Sequence, residues 1–239
     1  MTKRRGRRHR ISTTEPPSFA SEAALCTAFA GYARNKGWDV HAETSDCDLL
    51  LVWNKPDSAF HRRGDIVGIQ AKLRPNFEVL AQSLPSWLNS TGPDFHAVLV
   101  PKASGEFLRI AHALHISTIV PTTYGWSFSL SQRHHYEKKL WYPEVIVDVP
   151  AGVPSPRVVS KWKITAVKLC LYGLDKGYVT MADFQSYGLN SQRWVAGGWI
   201  VDTGEREIRL KKYRITELAP HTMFPEVTAA LKKGATDVP

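Results

Sequence analysis

The sequence predicts an α/β protein in two parts, a mixed β-sheet flanked by helices followed by a small α+β unit. Three observations carry this expectation. Residues 47–73 (CDLLLVWNKPDSAFHRRGDIVGIQAKL) read as two apolar strands joined by a polar loop. Residues 95–100 and 117–120 are short apolar strands separated by an amphipathic stretch, an order that implies a parallel, right-handed crossover. After the Pro-rich run PAGVPSP at 150–156, helical spacing takes over and a strand pair follows.

The 239 residues suffice for a domain of about 150 residues plus a small one. With 43% hydrophobic and 22% charged residues the composition is that of a soluble globular chain. No apolar run approaches the roughly 20 residues of a membrane span. The basic N-terminus leads into Ser, Thr and Pro instead of a hydrophobic signal segment, so a cytoplasmic location with no membrane contact is expected. Cys26, Cys47 and Cys170 are odd in number and scattered, which points to reduced thiols, with neither a disulfide framework nor a zinc site.

The formal charge of +9 is unevenly spread. Residues 1–10 hold six Lys or Arg and no acid, residues 11–157 hold 13 basic against 14 acidic, and residues 158–239 hold 12 against 8. A basic arm and a mildly basic C-terminal part around a neutral middle suggest a polyanion gripped from both ends. A disordered, solubilising arm is the alternative reading of residues 1–17.

In chain order, a helix is expected from residues 18–21 to Gly37, with Leu25, Phe29 and Tyr32 at helical spacing. Glu22 lies on its inward face in the first turn, either because the helix dipole favours an acid there or because it points to a shared site. The first strand of the pair opens with Asp48 and the second ends in Gln70, Ala71 and Lys72. Alternation puts Gln70 and Lys72 on one face and Asp65 on the other, as a turn or strand-start residue. The loop between the strands, with Arg62 and Arg63, is read as lying beside the site and able to touch a phosphate backbone. Residues 76–84 read as a short helix with Phe77, Leu80, Ala81 and Leu84 inward, and 105–114 as a second with Ser104 as its cap. In 122–149, Trp126, Tyr136, Trp141 and Tyr142 are interleaved with Arg133, His134, His135, Lys138 and Lys139. Packing is favoured over base stacking there, because VIVDV at 145–149 reads as a buried strand.

This order of elements, with Glu22 on a helix, Asp48 opening a strand and Gln70-Ala71-Lys72 closing the next, resembles the PD-(D/E)xK nuclease superfamily over residues 18–121. The resemblance implies a restriction-endonuclease-like mixed sheet flanked by helices. It also implies a Mg²⁺ or Mn²⁺ ion held by Asp48, Gln70, the Ala71 carbonyl and Glu22, with Lys72 orienting or helping to deprotonate the attacking water. The commonest form of the motif has Asp or Glu where this chain has Gln70; a neutral amide adds no charge toward a cation, which Glu22 would compensate.

Beyond the Pro-rich run, Ile164, Val167, Leu171 and Leu174 mark one helix, Thr180 with Asp183 a capping box for a second, and Asn190 or Ser191 the start of a third. Residues 199–202 and 211–216 would pair around a Thr203-Gly204 turn, and 224–231 suggests a last helix. Three helices followed by a hairpin resemble a winged helix. That implies DNA contacts by Ser191, Gln192 and Arg193 at the start of the third helix and by Arg206, Arg209, Lys211 and Lys212 in the wing. A solvated hairpin of alternating charge is the competing reading.

The expected organisation is therefore a basic disordered arm (1–17), a PD-(D/E)xK-like nuclease domain (18–149), a linker (150–159) and a winged-helix-like domain (160–239). The expected activity is metal-dependent hydrolysis of phosphodiester bonds in double-stranded DNA. Members of such families often pair to cut both strands, so a homodimer belongs to this expectation although no residue marks its surface. The alternatives are a catalytically inactive DNA-binding protein on the same fold, an RNA nuclease, and a winged-helix adaptor that binds another protein.

Overall fold

The computed structural model describes residues 17–84, 91–152 and 158–236. Most of the expected arm, residues 1–16, and part of the Pro-rich run, 153–157, lie outside the described residues. Within them the chain is a mixed α/β protein, and no helix is long and apolar enough to cross a membrane.

Helix α1 spans Glu22–Lys36; the Ser21 side chain accepts from Ala24 N–H at its start, and Gly37 ends it. Its buried face is Leu25, Cys26, Phe29, Ala30 and Ala33, the stripe a 3.6-residue period requires. Three antiparallel strands follow: β1 (Asp39–Thr44), β2 (Cys47–Trp53) and β3 (Asp65–Ala71). Strand β1 was not expected. It is joined to β2 by the two-residue turn Ser45-Asp46, with φ of 53° and 60°, the left-handed pair that a tight hairpin needs.

Helix α2 (Phe77–Ser83) leads to the two-residue strand β4 (Thr91–Gly92) and to β5 (Phe95–Leu99), which lies parallel to β3. Helix α3 (Gly105–Ala113), capped by Ser104 as expected, leads to β6 (Ile116–Thr122), parallel to β5; β7 (Gly125–Ser127) returns antiparallel. The six-stranded sheet runs β1-β2-β3-β5-β6-β7, so the expected crossover is parallel. Helix α1 packs on one face, against Leu49, Leu51, Val67, Ile69 and Leu99; α2 and α3 pack on the other, against Val98 and Val100.

Two local expectations are corrected. Helix α2 turns Val79, Leu80 and Ser83 inward and leaves Phe77, Ala81 and Leu84 exposed, so of the expected stripe only Leu80 enters the core. Residues 145–149 form no strand; Val147 and Val149 enter the core from irregular backbone. Aromatic packing in this region is as favoured: Trp126 meets Phe29 edge-on at 5.2 Å and Tyr136 bonds His96. Strand β8 (Lys138–Lys139) pairs with β4. Arg133 is held by Asp65 at 2.6 Å and Asp94 at 2.8 Å and lies over the Phe95 ring.

The C-terminal part comprises α4 (Lys161–Lys176), α5 (Met181–Ser186), α6 (Ser191–Ala196), the hairpin β9 (Ile200–Glu207) and β10 (Leu210–Ile215), then α7 (Pro220–Met223) and α8 (Pro225–Thr236). The Thr180–Asp183 capping box is present with both of its bonds. The hairpin reverses at Ile208-Arg209, not at Thr203-Gly204. Gly204, at φ 78°, sits within β9 where the pairing register shifts opposite Lys211 to Tyr213, so the turn-like residues make a bulge.

Helix α4 serves two cores: Ile164 and Val167 join the sheet core, while Ala166, Leu169 and Cys170 pack with Phe184, Trp194, Tyr213 and Ile215. Val227 and Leu231 of α8 also enter the sheet core, as do Ala151 and Val159 of the segment expected to be a linker. Its described ends are therefore packed and not solvated as a tether would be.

Replacing Arg133 leaves Asp65, 2% exposed, and Asp94 facing one another without their shared cation. Arg133→Leu is predicted to lower stability by roughly 3 kcal/mol in urea denaturation; a loss below about 1 kcal/mol would show that the pair is solvated after all.

Candidate active site

Strands β2 and β3 pair from Trp53↔Asp65 as far as Leu49↔Ile69. Beyond that pair β2 is still held by β1, through Thr44↔Cys47, and the two strands cease to share a ladder. The backbone N–H of Ala71 would be left without a β2 partner at this fork. It donates to Asp48 Oδ2 at 2.7 Å. The N–H of Lys72, one residue on, donates to Leu99 O on the opposite edge. Because a strand residue's N–H and C=O leave from the same edge, the Ala71 carbonyl is directed to the Asp48 side.

Lys72 Nζ lies 3.7 Å from Glu22 Oε2, with the two side chains 31% and 33% exposed. Glu22 is the first residue of α1, so the Ser21 cap that starts the helix also places this carboxylate at the fork. Glu22, Asp48, Ala71 and Lys72 are therefore brought together, as the sequence reading required.

The electrostatics report the same proximity. Burial pushes the Asp48 carboxyl above its ordinary value; the Ala71 N–H opposes this, Glu22 adds to it and Lys72 opposes it. The Cys26 thiol is driven up by burial and by the carboxylates of Asp48, Glu43 and Glu22, and Cys47 is pushed up to about 12 by burial, Asp48 and Asp46.

Glu43 is the residue that sequence reasoning missed. It is 8% exposed and held at φ 48° near the end of β1. Its Oε1 accepts from Gly152 N–H at 2.5 Å and its carbonyl accepts from Val159 N–H at 2.7 Å. Gly152, at φ 70°, lies so close to the α1 backbone that a Cβ there would come within 3.0 Å of Ala23 N. Glu43 thus holds Val159 and also Gly152, which lies against the first turn of the helix that carries Glu22. In DVHAET alternation groups Glu43 with Asp39 and His41 on a polar face, so the pattern carries no signal of its burial.

Gln70, the remaining expected ligand, donates its Nε2 amide to Asp46 O at 2.6 Å on the β1–β2 turn, a bond made by its nitrogen and not by the oxygen expected to face a cation. Arg62 and Arg63 are exposed in the loop that follows the Trp53↔Asp65 pair. The loop is at the far end of the hairpin, about 13 Å along the strands from the fork, which corrects its expected position beside the site. Asp65 starts β3 and binds Arg133, a structural role as expected.

In the C-terminal unit, Ser191, Gln192 and Arg193 open α6, with Gln192 and Arg193 exposed. Arg206 and Lys211 stand directly opposite each other in the hairpin, and Arg209 is exposed beside its turn. Lys211 pairs with Asp202 at 2.8 Å and Lys212 with Glu205 at 3.3 Å.

Among the described residues, no three or more His, Cys, Asp or Glu side chains gather as a metal-binding group. A cation at the fork would depend on the Asp48 and Glu22 carboxylates and the Ala71 carbonyl. All are hard oxygen donors, and Mg²⁺ is commonly held by one or two carboxylates, with water and substrate phosphate completing its shell. Donors of this kind fit one hard divalent ion.

Comparisons with protein-family models, with curated proteins and with solved structures find no match to this chain.

A raised carboxyl pKa means that the stability linked to Asp48 is fully present below its ordinary value of 3.8 and is lost as pH rises through the higher folded-state value. Asp48→Asn keeps an acceptor for Ala71 N–H and removes the charge. Its thermal stability relative to wild type is predicted to improve from about pH 4 to about pH 7 in metal-free buffer; a pH-independent difference would contradict the buried, repelled carboxylate.

Proposed function

We propose that this chain is a Mg²⁺- or Mn²⁺-dependent nuclease that hydrolyses phosphodiester bonds of double-stranded DNA, and that its C-terminal helices and hairpin position the DNA. The observation that carries the reading is the meeting of Glu22, Asp48 and Lys72 at the fork of β2 and β3. The order of one helix, three antiparallel strands, a helix and a parallel strand is consistent with the PD-(D/E)xK resemblance.

Phosphodiester hydrolysis needs a water aimed in line with the leaving oxygen and positive charge where the phosphorane oxygens gain electrons. Asp48 and Glu22 would hold the cation, which when bound supplies Lewis-acid polarisation and a more acidic water. Lys72, steadied by Glu22, presents its ammonium to the attacking water and to the phosphate. Ala71 N–H keeps the Asp48 carboxylate turned into the fork. Gln70 holds the β1–β2 turn through Asp46 and so sets the position from which β2 begins. Arg206 and Lys211 face each other across the hairpin with Asp202 bonded to Lys211, and Gln192 and Arg193 stand exposed at the start of α6, where they would face a DNA groove.

A second reading, a DNA-binding protein that does not cut, draws on the Gln70 bond to Asp46, which leaves the fork with two carboxylates. The two are separated by incubating the purified chain with supercoiled, linear, branched and single-stranded DNA, and with RNA, under Mg²⁺ or Mn²⁺. Lys72→Ala and Asp48→Ala are expected to lose at least about 10²-fold in cutting rate while DNA binding in chelator persists. Equal cutting by wild type and both variants would overturn the site; salt-dependent binding with no cutting by wild type would establish the second reading. Glu43→Gln, which keeps the length but weakens the tie to Gly152, is expected to slow cutting about 10-fold without changing DNA affinity, and unchanged cutting would remove Glu43 from the positioning of Glu22.

A further inference from the structure

Beside the first turn of α6 is a cavity of about 280 Å³ lined by Trp162, Leu189, Asn190, Arg193, Trp194 and Trp199. It is smaller than the clefts of about 300–1,000 Å³ that take drug-sized ligands, and suits one planar ring system. Its walls are stiff. Trp194, only 1% exposed, is held edge-on by Phe184 at 5.0 Å and by Trp199 at 5.5 Å; Trp199 in turn faces Trp162 at 6.1 Å and 51°.

Trp162 is different. It is anchored from one side by Phe224, edge-on at 6.2 Å, yet remains 44% exposed at the mouth. Its ring neighbours belong to both cores, Trp199 to the second and Phe224 to the sheet core, and the rest of the indole is open to solvent. No acid lines the cavity, and its lining includes the exposed residues Arg193 and Asn190. Asn190 accepts from Gln192 N–H through Oδ1, which leaves its NH₂ to donate outward. Lys161 is the exposed neighbour of Trp162 in sequence, and residues 158–239 carry 12 basic against 8 acidic residues.

An open aromatic face, a donor amide and a cationic border without an acid match a purine or pyrimidine that carries its own phosphate. From this juxtaposition we propose that the cavity takes a single unpaired nucleobase, stacked against Trp162 with its edge toward Asn190 and its phosphate toward Arg193. The C-terminal unit would then select DNA containing an unpaired nucleotide, such as a bulge, junction or single-stranded end, over a continuous duplex. The inference deepens the nucleic-acid reading given above and rests on it.

Binding is to be measured with the full chain in chelator by fluorescence anisotropy on three labelled DNAs: a continuous duplex, the duplex with a one-nucleotide bulge, and the duplex with an abasic bulge of the same backbone. The bulge with its base is expected to bind at least about fivefold more tightly than the abasic one. Trp162→Ala is expected to abolish that difference while duplex affinity stays within about twofold, and Trp162→Phe to retain most of it; circular dichroism checks that both fold. Equal binding of base-bearing and abasic bulges by wild type, or an equal loss on all three DNAs in Trp162→Ala, would overturn the pocket and leave the nuclease proposal standing. Binding to none of the three would overturn both. Quenching of the Trp fluorescence by an apolar peptide but not by the bulged DNA would assign the cavity to protein docking and overturn the proposal.

Discussion

The hydrogen bond from Ala71 N–H to the Asp48 carboxylate is the constraint on which the site depends. At the fork a strand loses its neighbour, and a backbone donor without a partner costs about as much as a lost hydrogen bond. Asp48 satisfies that donor and in doing so is fixed half-buried between two strands, beside a second carboxylate and a lysine. Folding and chemistry are joined here: the side chain that repairs the end of the ladder is the one whose charge the fold leaves insufficiently neutralised. Glu22 reaches the place from a different element, and its position is secured twice, by the Ser21 cap and by the Glu43–Gly152 tie behind the first turn of α1.

Much of this was legible in the sequence. The stripe of Leu25, Phe29 and Tyr32, the apolar strands around Asp48 and Gln70, and the alternation of strand and helix through residue 120 each follow a short-range period, and the parallel crossover follows from the order strand, helix, strand. What escaped depended on contacts distant in sequence or on unusual backbone. Strand β1 was hidden because its turn, Ser45-Asp46, uses left-handed non-glycine residues where glycine would have signalled a hairpin. Parity placed Gln70 beside Lys72, yet the strand ends there, and alternation says nothing about a side chain that can reach a turn carbonyl. The loop bearing Arg62 and Arg63 was misplaced because a loop between two strands must lie opposite the fork at their other ends.

The chain after residue 150 shows how a composition signal can mislead. Proline and glycine mark a break in regular structure, and the break is real, but Ala151 and Val159 are buried and the helix that follows presents one face to each of two cores. Such shared packing couples the C-terminal unit to the sheet more closely than a tethered module would be. In the proposed function, that coupling keeps the DNA-facing helix and hairpin in a fixed relation to the fork.

In the proposed function one cation and one phosphate meet where Asp48, Glu22 and Lys72 converge. Paramagnetic broadening of backbone amide NMR signals by substoichiometric Mn²⁺ tests it most directly. Ala23, Leu49, Ala71 and Lys72 are expected to broaden first and α5, α6 and β9 to be spared, and Asp48→Ala is expected to abolish the pattern. Uniform broadening, or a focus away from the fork that survives Asp48→Ala, would contradict it.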